Sequence, residues 1–447
     1  MRRKISVPCG TLLLLLNAIA SGAELRVGAA AVNLPADDSM VIAGGIGPRY
    51  VQGQEGQLRA VAVVLELAGQ DKVALVACDV LFTPQALVEP ALAQIKKQTG
   101  IPPDHVLVNA THTHHAPATS SIHGYPADAK FCAVLTRGIA EAVRRANGQL
   151  QPATAFFRMG QETTVGQNSR LLMRDGRIYW IGPREEAVRT TGPFDPALPV
   201  FSFRGSDGKL ISVFFGHSTH TIGTEGGDVR SPSFYGLAAQ ELEAEQGGVF
   251  GFLEGASGST HALGTRPQTR KERIKRAVNK TLTESASYKI DRLAAARRPF
   301  EFTVRTFDEA HEDEKVRSYT QKYAPGIAEK TTNIFRQMRR KLKAEQGQTR
   351  RSTIQAIAIG DVAIVGLPGE YFTSLGLEIK RRSPFARTVI AELAGDWIGY
   401  LPDREGHRLG GYQTWMGEHS YAEPGTGERM ADEVVELLEE LKPQVDD

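Results

Sequence analysis

Beyond the N-terminal leucine run, no segment of this 447-residue chain supplies the roughly 20 uninterrupted apolar residues of a membrane span. The formal charge is only +2, so there is no bulk field to attract nucleic acid. Cysteine is scarce as well. Of three, Cys9 precedes the leucine run, which leaves Cys78 and Cys132. These two either pair in an oxidising compartment or stay as two buried thiols, and their apolar neighbours suit both readings.

The first 23 residues read as a secretory signal peptide. Arg2, Arg3 and Lys4 precede Leu12 to Leu16, and Ser21-Gly22-Ala23 offers small residues for cleavage before Glu24. An uncleaved amphipathic anchor is the other reading. The expected location is secreted or periplasmic. Those residues carry three basic and no acidic side chains, so removing them takes the formal charge from +2 to −1. The remaining chain is longer than one compact core usually needs, yet shows no linker. One large domain spanning 24–447 with an inserted part is expected.

The densest chemistry lies at Asn109-Ala110-Thr111-His112-Thr113-His114-His115-Ala116-Pro117, where three of eleven histidines fall within four positions. The preceding His105–Asn109 alternates apolar and polar like a half-buried strand. If that strand runs on through Thr113, a period of two puts His112 and His114 on one face and His115 on the other, so two imidazoles reach one point. A histidine-rich surface turn is the alternative for an isolated H-x-H. Partners elsewhere must decide.

Strand-like runs occur at 60–67, 72–78, 106–110, 198–203, 211–215, 354–359 and 362–367, and helical periodicity at 84–99, 133–147, 234–245 and 431–441. The interleaving predicts a mixed α/β fold, with mixed β-sheets flanked by helices and a metal site at strand ends. Residues 270–351 depart from it: rich in Lys, Arg and Glu, they read as two long amphipathic helices flanking a strand, a helical insertion or cap. Its run of Arg336, Arg339, Arg340, Lys341 and Lys343 reads as a solvated face, with an anionic surface as the alternative.

Further segments supply what the histidine cluster needs. Phe214-Phe215-Gly216-His217 ends a β-type run with an imidazole, and Leu367-Pro368-Gly369-Glu370 stops a strand just before a carboxylate. Gly399-Tyr400 lies in a glycine- and proline-bounded loop, and Gly410-Gly411-Tyr412 follows. Each alone reads more readily as a turn with a packed aromatic.

In order, with Phe252 and Gly258 in a small-residue loop, these marks resemble the neutral/alkaline ceramidase family of secreted zinc amidases. The resemblance runs from Val27-Gly28 to the C-terminal helix. It implies that His112, His217, Glu370 and Tyr400 bind one Zn²⁺, that His114 and Tyr412 hold the developing oxyanion, and that Arg170, in Asn168-Ser169-Arg170, contacts substrate. His115, His123, His220 and His261 receive no ligation. Two departures bear on substrate: Gly255 stands where the family has a serine, with Ser259 replacing an acidic or amide residue, and the family's C-terminal β-sandwich is not expected beyond the C-terminal helix.

The expected function is a secreted zinc-dependent amidohydrolase acting on an N-acyl amide bond, ceramide or a related small-molecule or lipid N-acyl substrate, with transient membrane-surface contact as a further partner call. The alternatives are a zinc hydrolase for another amide or ester, and a non-catalytic binding protein on the same scaffold.

Overall fold

The computed structural model describes residues 24–442. The expected signal peptide therefore lies outside the described residues. Two sheets form the centre. The first contains β1 (Leu25–Asn33), β2 (Arg59–Leu67), β3 (Val73–Cys78), β4 (Val106–Ala110), β5 (Gln151–Gln161), β6 (Ala197–Gly205), β7 (Leu210–His217) and β8 (Val249–Glu254). Their spatial order is β8-β7-β6-β5-β1-β2-β3-β4, antiparallel except for the parallel pairs β3–β4 and β7–β8. The second sheet runs β9 (Leu293–Thr303), β10 (Thr349–Ile359), β11 (Val362–Leu367), β12 (Arg387–Glu392), with only β11–β12 parallel.

Strand alternation explains how the sheets stack. On β2, Ala60, Ala62 and Val64 join the core under the helices α1 (Gln85–Thr99) and α2 (Ala129–Gly148). Val61, Val63 and Leu65, on the other face, pack against Ile357, Ile359, Val362 and Ile364 of the second sheet. The second sheet's far face, Ile354, Ala356, Ala363 and Val365, packs on the helices α7 (Thr373–Arg382) and α8 (Thr426–Leu441). The result is four layers, helix–sheet–sheet–helix. Such strands are buried on both faces, which is why they read as continuous apolar runs. At the far end of the first sheet, α3 (Ser233–Gln246) and α4 (Pro267–Thr283) cover β6, β7 and β8.

The region 270–351 is resolved differently from its expected form. β9 pairs with β10 along its whole length and belongs to the second sheet, and α4 belongs to the first sheet's outer layer. The helical excursion is only α5 (Glu309–Tyr323) and α6 (Ala328–Leu342), whose Val316, Tyr319, Phe335 and Met338 join the main core. The basic run on α6 is largely neutralised. Arg339 is fully buried against Glu309 and Asp313, Arg336 pairs with Asp313, and Lys341 pairs with Glu418. Cys78 and Cys132 are both free thiols. Among the described residues, no helix is long and apolar enough to cross a membrane.

Candidate metal centre

The parallel strand pairs of the two central sheets end at one crevice, the place where open α/β sheets present side chains to ligands. β4 stops at Ala110, two residues before His112. β7 stops at His217, three before His220, and β11 stops at Leu367, three before Glu370. The strand does not continue through Thr113: His112 has φ of +61°, a left-handed backbone rare outside glycine, so a turn rather than β periodicity brings His112 and His114 together.

Each imidazole of the crevice is oriented by a backbone carbonyl. His112 Nδ1–H donates to Leu81 O at 3.1 Å, His114 Nδ1–H to Gly44 O at 3.0 Å, and His220 Nδ1–H to Ser257 O at 2.9 Å. Those bonds fix the tautomers, leaving three Nε2 lone pairs pointed at one place. The ligand atoms of His112, His114 and His220 all lie within 4.8 Å of one another. Gly44 permits this: its φ is +92°, and a Cβ there would stand 2.5 Å from His114 Nδ1.

The carboxylate completes the set. Glu370 Oε2 lies 3.5 Å from His112 Nε2 and 3.3 Å from His220 Nε2, while its Oε1 accepts from Trp397 Nε1–H at 3.1 Å. Tyr400 O–H reaches His220 Nε2 at 3.0 Å. Glu370 and Tyr400 are themselves neighbours on a short parallel pair, Glu370–Tyr371 with Tyr400–Leu401. Burial, with the neighbouring histidines behind it, holds His112 and His114 well below the usual imidazole range, so both are neutral at pH 7. Burial and Glu370 push the Tyr400 and Tyr412 phenols up. Several acceptor lone pairs thus face one another with a single hydroxyl proton between them, an arrangement that fits a cation. A small cavity of about 20 Å³ beside His112, Glu370 and Tyr400 has room for one small ion or a water.

His217, the expected ligand, is not in this group. Its Nε2–H donates to Glu162 O at 3.1 Å and its Nδ1 accepts from the Tyr235 hydroxyl, so both ring nitrogens are committed elsewhere. As the last strand residue it is tied into the packing around α3, and His220, beyond the strand end, takes the crevice position. The H-x-x-H spacing of His217 and His220 was the available signal, together with the two- and three-residue overhang already present at His112 and Glu370.

Arg170 is also placed differently from the expected substrate contact. It is fully buried, donating to Gln413 Oε1 at 2.8 Å and to the carbonyls of Gly406 and Gly410 at 2.9 and 2.6 Å. Burial pulls its guanidinium down to about 10, still charged at neutral pH. Its role is to hold the 406–413 loop that carries Tyr412. Arg170→Met leaves those acceptors without partners, so we expect a loss of about 2–4 kcal/mol, read as a lower midpoint in denaturant unfolding.

A cavity of about 330 Å³ opens beside the cluster. It is lined by His114, His220 and Tyr400, by Tyr412 stacked on Trp180 at 5.0 Å, and by His261. His261 stacks on His220 at 4.0 Å with its Nδ1 held 2.7 Å from Ser169 Oγ. Tyr412 O–H lies 3.3 Å from His123 Nε2. Gly255 sits in a tight place: a Cβ there would meet Ser218 Oγ at 2.4 Å and His217 O at 3.1 Å, so a serine would require the Ser218 hydroxyl to turn away and the His217 carbonyl to shift. Ser257 Oγ is given to Glu392 and Ser259 Oγ to Thr373, and neither lines this cavity.

No family model matches the chain. Neutral ceramidase of Pseudomonas aeruginosa is 28% identical over 204 residues, 43% of this chain and 29% of that relative. The crystal structure of neutral ceramidase from Pseudomonas aeruginosa superposes with a TM-score of 0.71 at 18% identity, covering 95% of this chain and 76% of the other. A ceramidase complexed with C2 gives 0.73 at 18%, covering 95% and 77%. The chain is a two-sheet α/β protein with a ligand cluster at its strand ends. Its fold is similar to that of the neutral ceramidase structures, and part of its sequence is similar to neutral ceramidase. The sequence match spans less than a third of the relative's length, so what this site does rests on its own residues.

Proposed function

We propose that this chain is a zinc-dependent hydrolase of N-acyl amide bonds, acting outside the cytoplasm. The observation that supports it is the convergence of the His112, His114 and His220 Nε2 atoms with Glu370 Oε2 at the wall of an open cavity. Imidazole nitrogens with a carboxylate are an ordinary zinc donor set. His112, His220, Glu370 and Tyr400 would hold the ion. Zinc there supplies a Lewis acid and lowers the pKa of a coordinated water toward about 7.

The remaining steps belong to the chain. His114 faces the open cavity, and because its Nδ1–H is committed to Gly44, its Nε2 can only accept. It therefore serves as a base rather than the oxyanion donor expected from the sequence. A water beside the scissile carbonyl gives its proton to His114 Nε2 and attacks; the C–N bond then breaks and the proton passes to the leaving amine. Tyr412 donates its O–H to the carbonyl oxygen as negative charge develops there.

Purified protein dialysed without chelator is expected to retain about one zinc per chain by elemental analysis. His114→Ala should keep the metal while losing about 10²–10⁴ in rate on N-acyl amides. A metal-free wild-type protein, or zinc loss from His114→Ala with retention in His112→Ala, refutes these assignments.

A further inference from the structure

The loop that carries Tyr412 separates the cavity beside the metal cluster from a second one, of about 430 Å³. Tyr412 and Gln413 line the first, Gly411 and Thr414 the second. The second is cationic. Arg177, Arg305, Lys315 and Arg408 line it with the imidazoles of His311 and His407, and among the described residues no carboxylate does. His311 and Lys315, four residues apart, share one face of α5, while His407 and Arg408 come from the short helix Arg404–Leu409.

Three of the cations are paired with carboxylates that do not line the cavity: Arg177 with Asp175, Lys315 with Glu312 and Arg408 with Glu405. The Lys315 and Arg408 side chains are 40% and 68% exposed, so a ligand can reach them, and such ion pairs hold their partners weakly. Arg305 has no carboxylate partner among the described residues. Its Nη2 donates to the neutral oxygens of Thr414 at 3.0 Å and Ser420 at 3.2 Å. Glu312, whose charge it feels, is bonded to Lys315 at 2.7 Å and to the Met416 N–H at 3.1 Å. Arg305 Nη1 makes no hydrogen bond and, unlike its Nε, is open to solvent. Burial, with Arg305, Arg170 and Lys315 around it, pushes His407 down to about 4, as a positive potential at that wall requires. A partly buried guanidinium without a counter-ion is costly, and a free donor in a cavity without carboxylates is where an anion settles.

Four cations exceed what one carboxylate can use. A phosphate monoester carries about −1.5 to −2 at neutral pH and three strong acceptor oxygens. Tyr319 and Trp415, in the same lining, offer apolar surface to the group that bears it. We infer that this cavity is a binding site for a phosphate monoester, carried by a small soluble molecule or by a lipid headgroup. The inference does not depend on the hydrolase reading.

Calorimetry on the purified protein tests it with inorganic phosphate, phenyl phosphate and, as the uncharged control, benzyl alcohol. Both phosphates should bind at least about tenfold more tightly than the alcohol, and Lys315→Gln and Arg408→Gln should each weaken them about tenfold. Arg305→Gln should abolish binding; because Arg305 also holds two loop carbonyls, the two exposed variants carry the test if it does not fold. Co-sedimentation with phosphatidylcholine vesicles, with and without phosphatidic acid, separates the sources. Binding of the soluble phosphates marks a small-molecule ligand, and binding to the acidic vesicles alone, lost in the same variants, marks a headgroup. Absence of phosphate-dependent binding in both assays overturns the site. So does phosphate binding that survives all the substitutions, which places the anion elsewhere, at the metal cluster if His112→Ala removes it.

Discussion

His220→Ala is expected to strip both metal and activity, whereas His217→Ala keeps the metal. His220 has its Nδ1–H fixed by Ser257 O, and Ser257 Oγ is in turn tied to Glu392 at 2.6 Å, so the Nε2 lone pair is aimed before any ion arrives. Losing a preorientated donor should cost more than the 10–100-fold typical of removing an outer partner. His217 sits behind the crevice between Tyr235 and Glu162 O. Alanine there leaves a cavity and two unpaired polar groups, so its effect should be a stability loss of about 2–4 kcal/mol. Zinc content, kcat/KM and denaturant midpoint, measured side by side, check the pair. Full metal occupancy in His220→Ala with zinc loss in His217→Ala reverses the assignment.

The same pair of residues shows what was legible in the chain. Strands such as 106–110 and 362–367 are bounded as expected, because runs buried on both faces carry an unbroken apolar signal. β1, with its glycine and alanines, and β12, which opens on Arg387, carry a weaker one, and the sequence pattern singles out neither. The glutamate after Pro-Gly and the paired histidines could be singled out because turn chemistry stops their strands locally. The strand ends at His217 as expected, so choosing His220, three residues on, over His217 needed the tertiary partners Tyr235 and Glu162 O that occupy both ring nitrogens of His217. The Arg170 contacts arise from a loop more than 230 residues away, and no local pattern encodes such a distance.

Tyr412→Phe should leave zinc content near that of the wild type and lower kcat by about 10²–10³, roughly 3–4 kcal/mol of transition-state stabilisation. The phenol lines the open cavity as well as the small one beside Glu370, and what fixes it comes from four directions. Trp180 lies parallel to its ring, Arg170 holds the loop through Gly410 and Gln413, His123 stands 3.3 Å from its oxygen, and His419 Nε2–H donates to its backbone carbonyl at 3.1 Å. A ring so constrained need not reorganise as charge develops, which is the condition for an oxyanion donor to contribute in kcat rather than in KM. Phenylalanine preserves the stacking and removes only the hydroxyl, so structure and metal should persist. Tyr400→Phe is the control that separates the roles: its hydroxyl contacts His220 Nε2, and losing it should weaken zinc retention together with rate. Equal zinc loss in both variants would make Tyr412 part of the metal's support. An unchanged kcat in Tyr412→Phe would remove it from the chemistry.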